Sequence, residues 1–237
     1  MSFVEKLHKK NIIAKPGFNR WLVPPASIAI HLCIGSVYAW SMFNPALIKV
    51  LGVVSSSGDD WSLSQVVWIF SVAIVSLGLA AAYAGKWLEK VGPRMVGFFA
   101  ACCWGGGFII GSLGIYLQEN GVVINLSLPF VSPDEITMQL GLYLLYLGYG
   151  VIGGVGLGLG YVSPVSTLIR WFPDRRGMAT GMAIMGFGGG AMIAKFTIDK
   201  LLETFYKVPE YLGTLDSVEL ITEGGRRFAE ISGSMIE

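Results

Sequence analysis

Charge is what this sequence has least of. Only 14% of its 237 residues are Asp, Glu, Lys or Arg, against 53% hydrophobic, whereas a soluble domain carries about 25% charged residues. The shortage is concentrated, and between Leu140 and Ile169 no charged residue occurs at all. A water-soluble surface cannot be built from such stretches. A soluble enzyme, a nucleic-acid binder and a disulfide-stapled secreted module are thereby excluded. Cysteine is also scarce: Cys33, Cys102 and Cys103 all fall in apolar runs without metal-ligand spacing and read as small packing residues. The apolar runs hold no Asp or Glu and one histidine, His31. A membrane enzyme would need paired carboxylates, a metal cluster or a nucleophile with its base at that depth, so no enzyme activity, metal or cofactor is expected. The net charge of +1 names no partner.

What is present is a set of runs long enough to cross the roughly 30 Å hydrocarbon core as helices. Five are expected, at about Trp21–Phe43, Ser64–Ala84, Met95–Leu117, Leu140–Ile169 and Gly177–Phe196. Membrane lipid is then the first partner. The fourth would be ~45 Å long at ~1.5 Å per residue, so it must tilt, kink near Pro164 or project into the headgroups. The first run is too long for the apolar part of a cleaved signal and lacks a small-residue cleavage site.

Basic residues alternate from loop to loop. Lys6, Lys9, Lys10, Lys15 and Arg20 precede the first run; Lys86, Lys90 and Arg94 follow the second; Arg170, Arg175 and Arg176 follow the fourth. Only Lys49, beside Asp59 and Asp60, follows the first, and no basic residue lies between Gln118 and Met138. Positive loops stay in the cytoplasm, which places the N-terminus there and the chain in the plasma (inner) membrane. The expected organisation is a cytoplasmic segment over 1–20, a five-span bundle over 21–198, and an exterior polar segment over 199–237. The chain reads as ending short of a sixth span.

Glycine is abundant, with 32 residues, many inside the runs. Small residues four apart, such as Gly150, Gly154 and Gly158, let helix axes approach closely in lipid; helices so built could also slide during a conformational cycle. Gly148-Tyr-Gly150-Val-Ile-Gly153 matches the dinucleotide fingerprint in letters only. It lies within an uncharged span, and the position where an acid is needed is Pro173.

His31 and Tyr38 are seven residues apart and share a face of a regular helix, with Ser27 and Ser41 close to that stripe. A polar stripe on an apolar span faces protein or water rather than lipid. His31 either hydrogen-bonds a neighbouring helix or meets a proton or substrate. Tyr38, Trp40 and Tyr161 either anchor and pack or line a cavity. Lys195, near the end of the fifth run, either snorkels outward or serves as a gate that attracts anions.

Two loops carry the strongest pattern. Gly85-Lys-Trp-Leu-Glu89-Lys-Val-Gly92-Pro93-Arg94 places a glycine at each end of a short reversal, with an acid among bases at the membrane surface, where partial desolvation strengthens pairing. Arg170-Trp-Phe-Pro173-Asp174-Arg175-Arg176-Gly177 stops one helix at a proline and starts the next with glycine spacing.

The first loop resembles the loop motif of the major facilitator superfamily, with Glu89 where Asp is usual, and the second resembles the arginine–aromatic–phenylalanine–proline stretch at the equivalent place. Asn19-Arg20-Trp21, then Gly35-Ser-Val-Tyr38-Ala-Trp40-Ser41, Asn44-Pro45, and Gly150 through Pro164 into Arg170, are similar to the oxalate/formate antiporter family. The likeness runs from Asn19 to Ile198.

That resemblance implies an all-α integral membrane fold, the N-terminal half of a twelve-helix carrier working by alternating access. It implies a small organic anion, an oxalate- or formate-like carboxylate, as substrate and the C-terminal half of the same transporter as partner, with no nucleic acid. Tyr38, Trp40 and Tyr161 match positions that line the cavity. Phe187 stands where the oxalate carrier has a tyrosine, so one hydroxyl donor is missing, which weakens the case for oxalate itself. The alternative is a membrane scaffold or partner subunit derived from a half-transporter, inactive in transport by itself.

Overall fold

The computed structural model describes residues 3–9, 13–48, 53–54, 61–120, 124–127, 137–205, 211–213, 219–223, 226–231 and 234–236. Lys10, Lys49, Asp59 and Asp60, invoked for sidedness, lie outside the described residues.

Five helical segments are long and apolar enough to cross a membrane. The first span, Arg20–Met42, opens as a 3-10 turn that Asn19 caps by accepting a hydrogen bond from the Trp21 N–H. It is α-helical over Val23–Ile34 and 3-10 again over Gly35–Met42. A capping box starts the second span, Leu63–Val91: Ser62 Oγ accepts from the Gln65 N–H and the Gln65 side chain accepts from the Ser62 N–H. Gly92 alone, at φ 95°, separates it from the third span, Pro93–Gln118. Proline suits that first helical position because its missing N–H would have had no partner there. Gly85, expected to open the reversal, lies inside the second helix with open space around it and turns nothing.

The fourth span, Leu140–Trp171, is central: 56% of its most apolar window is buried, against 17% for the second span. Its irregularity is not at Pro164, which sits within the α-helix Gly154–Trp171. A π-helical stretch over Tyr146–Gly153 precedes that helix. The fifth helix, Arg176–Phe205, follows a 3-10 turn at Pro173–Arg175 and runs beyond its expected end.

Packing is led by glycine. The fourth span lies on the second along the predicted stripe: a Cβ added at Gly154 would stand 2.6 Å from the Ala73 carbonyl oxygen, and one at Gly158 2.5 Å from that of Leu77. Gly150 faces Val72 on the same helix. Gly186 and Gly190 do the same for the fifth span against Ile28, Leu32 and Gly35 of the first. The third span meets the fourth through Gly107, Gly111 and Gly114. The cysteines are not the interior packing residues expected: Cys33 and Cys102 are exposed on the bundle's surface, Cys103 partly so.

Short antiparallel ladders lie outside the spans. Asn125–Ser127 pairs with Thr137–Gln139, and Val53–Val54 pairs with Tyr211–Gly213, which brings the loop after the first span and the segment after the fifth to one face. Glu219–Glu223, Arg226–Ile231 and Ser234–Ile236 form a meander.

Gly154→Val and Gly158→Val therefore overpack the seam between the second and fourth spans, costing about 1–3 kcal/mol. A lowered unfolding temperature in detergent is expected for both. Gly105→Ala, with nothing within 4 Å of its added Cβ, serves as the control, and equal effects at all three positions contradict the seam.

Candidate functional site

Four of the five aromatic and imidazole residues singled out in the sequence meet in one cluster, three of them around the ring of Phe187. Phe187, on the fifth span, lies 5.2 Å from Tyr38, 5.4 Å from Tyr161 and 6.1 Å from His31, centroid to centroid, edge-on in each case. Edge-to-face contact at such distances is the favoured geometry for aromatic pairs. Phe70 of the second span extends the cluster, 6.2 Å from Tyr38. Three properties of the chain build this chamber. The first span turns from α to 3-10 between His31 and Tyr38 yet keeps both on the Phe187 side. Gly186 lets the fifth span approach so closely that a Cβ there would stand 3.0 Å from that of His31. Gly160, just before Tyr161, leaves room for Ile34.

Burial is graded across the chamber. His31 is fully enclosed, Phe187 is 9% exposed and Tyr38 is 51% exposed, so the cluster reaches the surface on the Tyr38 side. His31 Nε2 lies 3.4 Å from the Tyr161 backbone oxygen, a long hydrogen bond that requires the proton on Nε2. Its Nδ1 is buried and has no hydrogen-bond partner. The walls are apolar rings carrying two phenol hydroxyls and an imidazole, with no charged side chain among them. Such a surface suits the organic body of a small solute and supplies hydrogen-bond donors to its polar end. Ser27 is buried on the same span, whereas Ser41 is exposed and stands away from the group.

Trp40 is not part of the chamber. It is buried against the second and fourth spans, where its indole N–H donates to the Val66 carbonyl at 3.2 Å and its ring lies tilted, 4.4 Å from that of Tyr149. Two residues beyond Tyr38, Trp40 falls on another side of the helix at either α or 3-10 winding. Lys195 lies two turns beyond Phe187, roughly 12 Å along the helix, exposed and without an ion-pair partner among the described residues.

The basic loops form a second assembly. Glu89 reaches past the bases of its own loop to Arg170, 3.2 Å away, with side chains 68% and 62% exposed. Lys9 Nζ donates to the Glu89 backbone oxygen at 2.6 Å, and its Cβ lies against Gly92. Arg94 and Arg176 are exposed and make no ion pair among the described residues; Gly177 has open space around it. Pro173 opens the turn that presents Asp174.

Sequence reasoning missed the strongest contact here. Arg20 grips Asp174 with two parallel hydrogen bonds of 2.9 and 3.0 Å and lies 4.9 Å over the ring of Phe172, which is fully buried. Trp21 packs on Phe172 and Phe18 on Trp171. The Arg20 hydrogen bonds hold the Asp174 carboxyl below the usual carboxylate range. The contribution is thus present above the ordinary carboxylate pKa and is lost as pH falls through the lowered one. The two partners are 154 positions apart, so no local spacing could have signalled them.

Comparison with known proteins agrees with this architecture. The profile described as Major Facilitator Superfamily matches residues 30–198. An uncharacterised MFS-type transporter of Escherichia coli (strain K12), YhjX, is 31% identical over 78% of this chain and 38% of its own length. Apicoplast pyruvate carrier 1 of Toxoplasma gondii is 27% identical over 70% of this chain and 32% of its own. The oxalate:formate antiporter of Oxalobacter formigenes is 27% identical over 73% of this chain and 34% of its own. The chain thus spans about a third of the length of these relatives. No solved structure matches it.

Asp174→Asn keeps the shape but removes the charge that Arg20 grips, so the segment before the first span should loosen. Chymotrypsin should then cut after Phe18, which packs on Trp171, several-fold faster in the detergent-solubilised protein. Combining Arg20→Asp with Asp174→Arg should restore protection; unchanged digestion of Asp174→Asn contradicts the clamp.

Proposed function

The chain belongs to the major facilitator superfamily, a family of membrane transporters, and from that premise we propose that it forms the N-terminal half of a carrier for small organic anions. The carrier works by alternating access, with a carboxylate bound against the chamber of Tyr38, Tyr161, Phe187 and His31. The single observation that carries the reading is the convergence of these side chains from three spans onto Phe187 within a bundle free of acidic walls. The relatives named as pyruvate carrier and oxalate:formate antiporter support the class of solute.

Phenol hydroxyls donate to a carboxylate, and ring edges, the positive rim of the aromatic quadrupole, face it favourably. No acid repels it. Lys195 attracts anions toward the exposed Tyr38 side. With phenylalanine at 187 the chamber has few donors, which favours a monocarboxylate over oxalate. The basic loops and the N-terminus face the cytoplasm of a cell whose plasma membrane holds the carrier. Glu89, Arg170 and the Arg20–Asp174 clamp tie that face together in one state of the cycle.

Counterflow of labelled pyruvate, formate and oxalate through the full-length carrier in liposomes tests this reading. Saturable exchange of a monocarboxylate is expected. Tyr38→Ala and Tyr161→Ala should each weaken half-saturation about 2- to 10-fold, the loss of a contact of ~0.5–1.5 kcal/mol. Trp40→Phe should instead lower thermal stability by ~1 kcal/mol, the value of its hydrogen bond, and leave the preference among the three anions unchanged. A carrier inert to all three contradicts the proposal and favours the scaffold. Lys195→Ala with unchanged uptake removes the gate from it.

A further inference from the structure

One buried atom in the cluster, His31 Nδ1, is unused by the fold. His31 is fully buried, and a buried polar atom left unpaired costs about 1–3 kcal/mol. Its Nε2 bridges to the Tyr161 carbonyl of the fourth span, while Nδ1 has no partner. The groups facing it are few. The fourth span presents the Tyr161 ring at 5.5 Å, the fifth presents Phe187 at 6.1 Å and Gly186, and the first places buried Ser27 one turn earlier. Tyr161 is the titratable side chain among them, and no Asp, Glu, Lys or Arg pairs with His31 among the described residues. An imidazolium enclosed in this way has no counter-charge from the chain, and a buried charge is tolerated only when paired. A carboxylate entering past Tyr38 supplies that charge.

Resting on the carrier reading above, we infer that His31 is the site of a proton that travels with the anion: Nδ1 takes it up when the carboxylate occupies the chamber and returns it when the carboxylate leaves. The Nδ1 lone pair forms an N–H bond as an O–H bond of hydronium breaks, and nothing is oxidised or reduced. One positive and one negative charge then cross together, so a monocarboxylate moves without net charge. By linkage, the anion favours the proton by the same factor as the proton favours the anion.

The test uses the full-length carrier and pyruvate, whose own ionisation is constant near neutrality. In the wild type, pyruvate affinity should fall about tenfold per pH unit at the alkaline end, the slope of one linked proton, and His31→Gln should abolish the slope. A wild type without pH dependence, or a His31→Gln variant that keeps the slope, overturns the inference. A second measurement does not need the variant to bind. In nitrogen-15 histidine spectra of the wild type in liposomes, the His31 resonance, assigned as the one missing from His31→Gln, should move from the unprotonated to the protonated Nδ1 position when pyruvate is added. A resonance that stays in place overturns it too. Failure of the carrier to exchange any of the three anions is seen separately, in the counterflow assay, and contradicts the parent reading.

Discussion

Helices in lipid cannot find one another by hiding apolar surface, because the surroundings are as apolar as they are. Close approach of backbones takes over that task, and here glycine provides it. The seams of the fourth span on the second and third, and of the fifth on the first, all run through glycines whose missing side chains are replaced by the neighbour's backbone. The chamber depends on this. Phe187 reaches His31, Tyr38 and Tyr161 because Gly186 and Gly190 draw the fifth span onto the first. A bundle held apart by larger residues would leave the same aromatic side chains facing lipid singly.

The same poverty of charge that fixes the fold gives the site its character. No acid lines the ring cluster, so in the proposed carrier an anion meets hydrogen-bond donors and ring edges there without repulsion. Charge is confined to the loops, where Arg20–Asp174 and Glu89–Arg170 join segments far apart in sequence. In the proposed carrier the two regions divide the work: the ring cluster recognises the anion, and the loop contacts hold one arrangement of the helix ends.

Much of this was legible from residues alone. Five apolar runs became five spans because length and hydropathy are the features lipid demands. The Gly150, Gly154 and Gly158 stripe was legible because steric exclusion follows spacing. His31, Tyr38, Tyr161 and Phe187 were named beforehand, but their meeting at one ring was not, since it depends on which helices are neighbours. Trp40 was assigned to the cavity by resemblance, yet two residues from Tyr38 it falls on another side of the helix and packs on Tyr149 instead. The π-helical stretch at Tyr146–Gly153 was hidden for a related reason. A span buried on most sides carries no hydrophobic periodicity from which its winding could be read. Lys9 and Arg20 were counted as charges for sidedness, and their partners, Glu89 and Asp174, lie too far along the chain for spacing to reveal.

The most direct measurement is the structure of the full-length carrier with pyruvate bound. The carboxylate is expected within hydrogen-bonding distance of the Tyr38 or Tyr161 hydroxyl, on the open side of Phe187. An anion held elsewhere, with that ring cluster closed and unoccupied, contradicts the assignment of the chamber.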